Sequence, residues 1–327
     1  MIQVRVSAPG SLMLFGEHAV LHGQPAIVCA IHRRMCVRVR PRSDHRVVVH
    51  SILGDLQFPA SQIPQSDRLR FVLEALRSSG IPACGLDLRI ESEFSSTIGF
   101  GSSAAVSVAV LAAMDGLRER RFRRRDLFMR AREVIRTVQG VGSGADVAAS
   151  VWGGALLYRQ SSASPRKLPV GFPLVAAYSG HKTPTPDVIR QVDVLRAAHP
   201  RLVHGIFKLM GQCTKDAVVA LRRGDLAQVG GLMNIHQGLH DALGVNTQGL
   251  ACLTFALRAD PGILGAKISG SGLGDCVIGL GRLRHRGPGA QTLELDVDPN
   301  GVQLEDPEEK KKNSRALMAP PGKKAAR

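Results

Sequence analysis

Aromatic side chains are scarce in this chain: one tryptophan, two tyrosines and ten phenylalanines among 327 residues, 4% of the total. A nucleic-acid surface usually stacks bases on aromatic rings, so this scarcity weighs against one. Paired cysteines are missing as well. Cys29, Cys36, Cys84, Cys213, Cys252 and Cys276 are scattered with no CxxC, so neither a metal-like cluster nor a disulfide framework is expected, and a reducing cytoplasm is the simplest setting. The chain does not open on a basic and then apolar leader, and Arg, Asp, Gly or Pro interrupts every apolar run before the roughly 18 residues a membrane helix needs. A soluble protein with no membrane partner is expected. What is present is 44% hydrophobic content, enough to bury a sizeable core in one large domain or two joined lobes.

Charge is lopsided. A net +16 and a pI near 10.4 suit an anionic partner: nucleic acid, an acidic lipid surface, or a small phosphorylated or carboxylated substrate. Much of the excess sits in Arg118 to Arg132 and in Lys310 to Arg327. The first block interleaves arginines with Leu127 and Phe128, the pattern of a solvated helix face. With so few aromatics, nucleic-acid binding is the weaker alternative.

Alternating or apolar runs at AIVCAI, MCVRVRP, RVVVHSI and LDLRIES predict a strand-rich first third after the opening strand MIQVRVSAPG. From Ser102 the period becomes helical, in SAAVSVAVLAAMDGL and RDLFMRAREVIRTV. GGALLYRQ and PLVAAYSG read as strands, followed by helices from VIRQVDVLRAAH to LACLTFALRA. AKISGSGLGDCVIGLG reads as strand, glycine turn, strand, and LELDVDPNGVQLE as a hairpin closed at Pro-Asn-Gly. The expected class is α+β, with a strand-rich N-terminal lobe (1–165), a helix-rich C-terminal lobe (166–305) and a flexible basic tail (306–327).

Three glycine-rich segments stand far apart: Ala8 to Ala26, the loop before the helix at Ser102, and Lys267 to Cys276. In the second, Gly99, Gly101, Ser102 and Ser103 directly precede AAVSVAVLAAM, so free backbone amides and the positive end of a helix dipole converge. Neither the Rossmann nor the Walker spacing is present. On the residues alone, a phosphate loop and a tight turn with a serine cap both remain open.

In this order and spacing the segments APGSLMLFGEHAVLHGQPA, GFGSSAA and KISGSGLGDC resemble the three motifs of the GHMP kinase superfamily over roughly residues 3 to 305. GEHAVLHGQPA is most similar to the mevalonate kinases, whereas VQGVGSGADVAASVWGG also resembles the phosphomevalonate kinases. The resemblance implies a two-lobed kinase fold with ATP and Mg²⁺ in one cleft and a small alcohol, mevalonate or a relative, as acceptor. It implies that Gly99, Phe100, Gly101, Ser102, Ser103 and Ala104 line the triphosphate, with the Ser103 or Ser102 hydroxyl on Mg²⁺. Asp146 takes the catalytic aspartate's place; otherwise it would be a helix cap. Glu17, His18, Ser11, Gly270 and Ser271 fall on the acceptor side. Thr185 is either a substrate contact or the cap of its helix. A homodimer is a possible assembly.

Three positions depart from the family pattern. Ser11 stands where the mevalonate kinases carry a lysine, leaving Lys182 or Arg159 as substitutes for its charge, or Asp146 working alone. Eleven positions before Asp146, where a Mg²⁺-binding glutamate is common, stands Ile135, and Glu133 lies on another helix face. Asp275 adds a carboxylate to the third motif that suits a triphosphate poorly unless turned away. Sugar or homoserine phosphorylation, or an anion-binding protein that has lost catalysis, are the alternatives.

Overall fold

The computed structural model describes residues 3–119, 121–162, 164–288 and 291–305, so the expected tail at 306–327 lies outside them. The opening strand β1 (Val4–Phe15) runs antiparallel to the long β2 (Ala26–Pro41), which absorbs both AIVCAI and MCVRVRP. β3 (Arg46–Ser51) and β4 (Leu56–Pro59) form a ribbon, and α1 (Arg70–Ser79) follows. β5 (Gly85–Ser92) then inserts between β2 and β3, pairing with β3 in parallel. With β12 (Gln303–Glu305) at its edge, the first sheet has the order β12-β1-β2-β5-β3-β4, with β6 (Ala155–Tyr158) on the far half of β2 and β7 (Arg166–Leu168) beyond it.

Helices cover this sheet. α2 (Ser102–Leu117) is apolar on nearly every side and packs on β1 and β2 and between α1, α3 (Arg124–Gln139) and α4 (Ala145–Trp152). Its alanines at 104, 105, 109, 112 and 113 let these backbones approach closely. In α3, Leu127, Phe128, Ala131, Val134 and Ile135 make the buried stripe, so the basic block is a solvated face as its pattern predicts. Arg130 turns to pair with the buried Asp115 of α2, with one of its bonds at 3.1 Å.

The second sheet, ordered β11-β8-β10-β9, is antiparallel throughout and joins β8 (Pro173–Tyr178), β9 (Ile263–Ser269), β10 (Cys276–Gly281) and β11 (Thr292–Asp296). α5 (Thr185–Ala198), α6 (Pro200–Arg223), α7 (Leu226–Ala242) and α8 (Gln248–Ala259) complete this half, with α7 and α8 on β9. Among the described residues no helix is long and apolar enough to cross a membrane.

The Pro-Asn-Gly hairpin is not formed. β11 stays in the second sheet while β12 (Gln303–Glu305) crosses to pair with β1 in the first. The reason is the connecting segment. Asp298 pairs with Arg34 and exchanges backbone bonds with Ala30 and Gly154 at 2.9 and 2.7 Å, and Arg34 also donates to the Gly301 carbonyl at 2.8 Å. These bonds hold the turn residues against the first sheet, and they close the chain across both halves.

Candidate active site

A cleft of about 870 Å³ lies between the two halves, lined from one by Gly99, Gly101, Ser102, Ser103, Ala104 and Asp146, and from the other by Lys182, Thr185, Gly270, Ser271 and Asp275. The loop before α2 is shaped by glycine where no other residue fits. Gly99 has φ 76° and Gly101, the residue capping α2, has φ 63°; a Cβ on Gly101 would collide with the Ser11 hydroxyl. No side chain caps the helix. The serine-cap alternative is therefore not what the chain adopts, and the first-turn amides at Ser102, Ser103 and Ala104 face the cleft with the positive end of the dipole. Phe100 differs from its neighbours. Its ring is buried beside Phe94, and its carbonyl accepts from the Ser11 amide at 3.0 Å, so it supports the loop from beneath.

Asp146 is the second residue of α4, whose capping position is Gly144 at φ 85°. It does not cap that helix: its Oδ1 accepts a hydrogen bond from Ser11 Oγ at 2.8 Å, joining residues 135 apart in sequence. Burial pushes the Asp146 carboxyl above the usual range, opposed by the Ser11 bond and the charge of Lys182. Ser11 is itself buried and does not line the cleft, so it reaches any bound molecule only through Asp146. Of the two substitutes for the missing lysine, Lys182 lines the cleft, with Nζ 2.9 Å from the Ser96 carbonyl, whereas Arg159 bonds the Gly23 carbonyl elsewhere. Ile135 lines the cleft and Glu133 is exposed, so α3 presents no carboxylate there.

The other end of the cleft is built on a buried ion pair. Glu17, in the turn after β1, pairs with Lys267 of β9, and both are almost completely enclosed. Burial raises the Glu17 carboxyl and lowers the Lys267 ammonium, while each partner's charge opposes the shift in the other. His236 and His240, one turn apart on α7, stand 3.9 Å from Glu17 Oε2, and burial holds both well below the usual histidine range. His236 Nε2 accepts from the Gly16 amide at 3.1 Å. His18, at φ 57°, is bonded through Nε2 to the Ser271 carbonyl at 2.8 Å, and burial lowers its pKa as well. Its link to Ser271 ties the first glycine segment to the third. Thr185 is the first residue of α5 and lines the cleft; the capping position is Pro184.

The three glycine segments and Asp146 thus meet in one place, and the known proteins that this chain resembles can be weighed against that geometry. Residues 68–154 match the GHMP kinases N terminal domain and residues 217–291 the GHMP kinases C terminal. A mevalonate kinase of Pyrococcus horikoshii is 32% identical over 305 residues, covering 86% of this chain and 90% of that protein. The chain belongs to the GHMP kinase family. A second curated relative, a mevalonate kinase of Archaeoglobus fulgidus, is 34% identical over 304 residues, covering 92% of this GHMP kinase and 99% of its relative. Among solved structures, an L. major mevalonate kinase in complex with R-mevalonate superposes with a TM-score of 0.77 over 90% of this chain and 96% of that one; at 23% identity this likeness bears on the fold. The two-lobed α+β architecture is that of the family.

Sequence reasoning missed Lys267, His236 and His240. Lys267 had a signal, a lone lysine in the apolar run before a glycine turn, and the histidines sit at helical i,i+4 spacing. What could not be read is that all three converge on Glu17.

Proposed function

We propose that this protein is an ATP-dependent kinase that transfers the γ-phosphoryl group to the primary hydroxyl of mevalonate. The observation that carries the proposal is Asp146: a desolvated carboxylate, held by Ser11, on the wall of the cleft that the uncapped amides of α2 also face. The curated mevalonate kinases aligned over most of the chain favour mevalonate as the acceptor.

In this reading the triphosphate lies along Gly99 to Ala104, with its charge met by the amides of α2. Asp146 orients the acceptor hydroxyl and takes its proton as the new oxygen–phosphorus bond forms and the bond to the departing ADP oxygen breaks. Lys182 supplies the cation that Ser11 cannot, balancing charge that develops between the carboxylate and the phosphoryl group. At the acceptor end His18, Thr185, Gly270 and Ser271 bound the space for a small carboxylate-bearing alcohol, and Glu17 stiffens this wall through Lys267. The residues present fit Mg²⁺: serine hydroxyls at the start of α2 and an Asp275 oxygen with no partner among the described residues are hard oxygen donors beside the phosphate loop. When bound, the ion neutralises phosphate oxygens and fixes their geometry; Ser103 or Ser102 is the proposed hydroxyl ligand. We also propose a cytoplasmic setting, from the six scattered cysteines, and a homodimer to be sought by sedimentation.

A coupled ADP-release assay with mevalonate, phosphomevalonate, homoserine and several sugars tests the acceptor. Turnover with mevalonate and little with the others is expected. Turnover with phosphomevalonate but not mevalonate would transfer the assignment to the activity that the segment around Asp146 also resembles.

A further inference from the structure

The carboxylate of Asp275 is difficult to reconcile with a simple anion site. It lies at the turn between β9 and β10, at φ 62°, with its amide bonded to the His181 carbonyl at 2.8 Å. Only 6% of the residue is exposed, and its Oδ1 has no hydrogen-bond partner among the described residues. That oxygen faces the phosphate loop: a Cβ built on Gly99 would stand 2.9 Å from the Asp275 Cβ and 3.3 Å from Oδ1. Its other oxygen faces Gly270, at 3.7 Å from a Cβ placed there. Both the loop and the carboxylate line the same cleft.

An ionised, dehydrated carboxylate beside a loop that attracts phosphate repels the very ligand the loop is built for. Lys182 faces it and offsets part of this charge, but Nζ is hydrogen-bonded to the Ser96 carbonyl. Asp146 faces the same region with a second negative charge. The missing component is a positive charge between Oδ1 and the phosphate. On the opposite side of the cleft, α3 supplies Ile135 and no acid.

We propose that Asp275 is the protein carboxylate that binds the divalent cation of the metal–nucleotide complex, sharing it with a serine hydroxyl at the start of α2. The cation class follows from the donors: carboxylate, hydroxyl and phosphate oxygens select a hard ion such as Mg²⁺ or Mn²⁺. The proposal rests on the reading of the cleft as a nucleotide site, and it is independent of the acceptor. Asp275 then makes metal and nucleotide mutually dependent: it opposes bare nucleotide and favours the metal-bound form.

The test is a binding cycle with a non-hydrolysable ATP analogue and no acceptor, measured by calorimetry in EDTA and in Mn²⁺. In the wild type the Mn²⁺ complex is expected to bind at least about 30-fold more tightly than the bare analogue. In Asp275→Asn this ratio is expected to fall to about 3-fold, because bare analogue binds more tightly than to the wild type while the Mn²⁺ complex binds less tightly. Asparagine tolerates the left-handed backbone; should that variant fail to fold, Asp275→Gly removes the same carboxylate at a φ that suits glycine. Electron paramagnetic resonance of the ternary Mn²⁺ complex gives a second readout, a changed spectrum in either variant. An unchanged ratio with an unchanged spectrum would overturn the proposal. A wild type that binds the analogue in neither condition would overturn the nucleotide-site reading beneath it, and failure with mevalonate alone leaves both standing.

Discussion

Two aspartates face one cleft from opposite halves of the molecule, and their surroundings differ in a way that separates their tasks. Asp146, on the first half, is half-buried and has Ser11 on Oδ1 at 2.8 Å. Asp275, on the second, has no partner on Oδ1 among the described residues, and burial, the largest cause, pushes its carboxyl up to about 6. A fixed, hydrogen-bonded carboxylate is suited to holding a hydroxyl in line and accepting its proton. An orphaned one beside a phosphate loop is suited to a cation. In the proposed reading two like charges coexist in one cleft because each has a different counterpart, and the charge of Lys182 acts on both.

The largest expected break in this contrast is Asp146→Asn. It keeps the shape and removes the base, so kcat should fall about 10²–10⁴-fold in a steady-state assay while nucleotide affinity in calorimetry stays near wild type. Lys182→Met should come next. Losing a cation whose charge acts on both aspartates is expected to lower kcat by about 10²-fold and to weaken nucleotide binding as well, which Asp146→Asn does not; a change confined to KM for the acceptor would contradict the role given to Lys182.

The smallest effect belongs to Ser11→Ala, which removes one hydrogen bond of about 1 kcal/mol and should slow neutral-pH turnover by several-fold. Its pH profile is more telling than its size. In the proposed role Asp146 acts as a base in its ionised form, so the rate should rise with pH through its pKa, which burial places above the usual carboxylate range and Ser11 pulls down. Removing Ser11 should therefore move the acid limb of kcat to higher pH. An acid limb that stays in place would mean that Ser11 does not tune Asp146.

Much of this arrangement could be read in the sequence, because the parts that carry it are local. The glycine loop before α2, the helical period after it and the long apolar strands are each written in a few adjacent residues. Even α1 was legible in hindsight, since Val72, Leu73, Ala75 and Leu76 mark one helical face, although the strand-rich reading of the first third passed over it. The failures involve distance. Nothing near Pro299 to Gly301 says that Arg34 will draw the turn to the first sheet, so the local turn sequence by itself predicts a hairpin. The burial of Ser11 beneath the loop, its bond to Asp146 and the convergence of Lys267, His236 and His240 on Glu17 all depend on tertiary packing. The departures at Ser11, Ile135 and Asp275 were visible one at a time, but their joint meaning required the cleft that brings Lys182 and Asp275 together.

Phosphoryl transfer to mevalonate with Asp146 as the proposed base can be followed by phosphorus NMR of the reaction mixture. With Mg²⁺, ATP and mevalonate, the wild type should yield ADP and one new phosphomonoester resonance in equal amounts, and Asp146→Asn should yield almost none over the same time. Release of inorganic phosphate without a phosphomonoester, or an Asp146→Asn variant that forms the product at the wild-type rate, would contradict it.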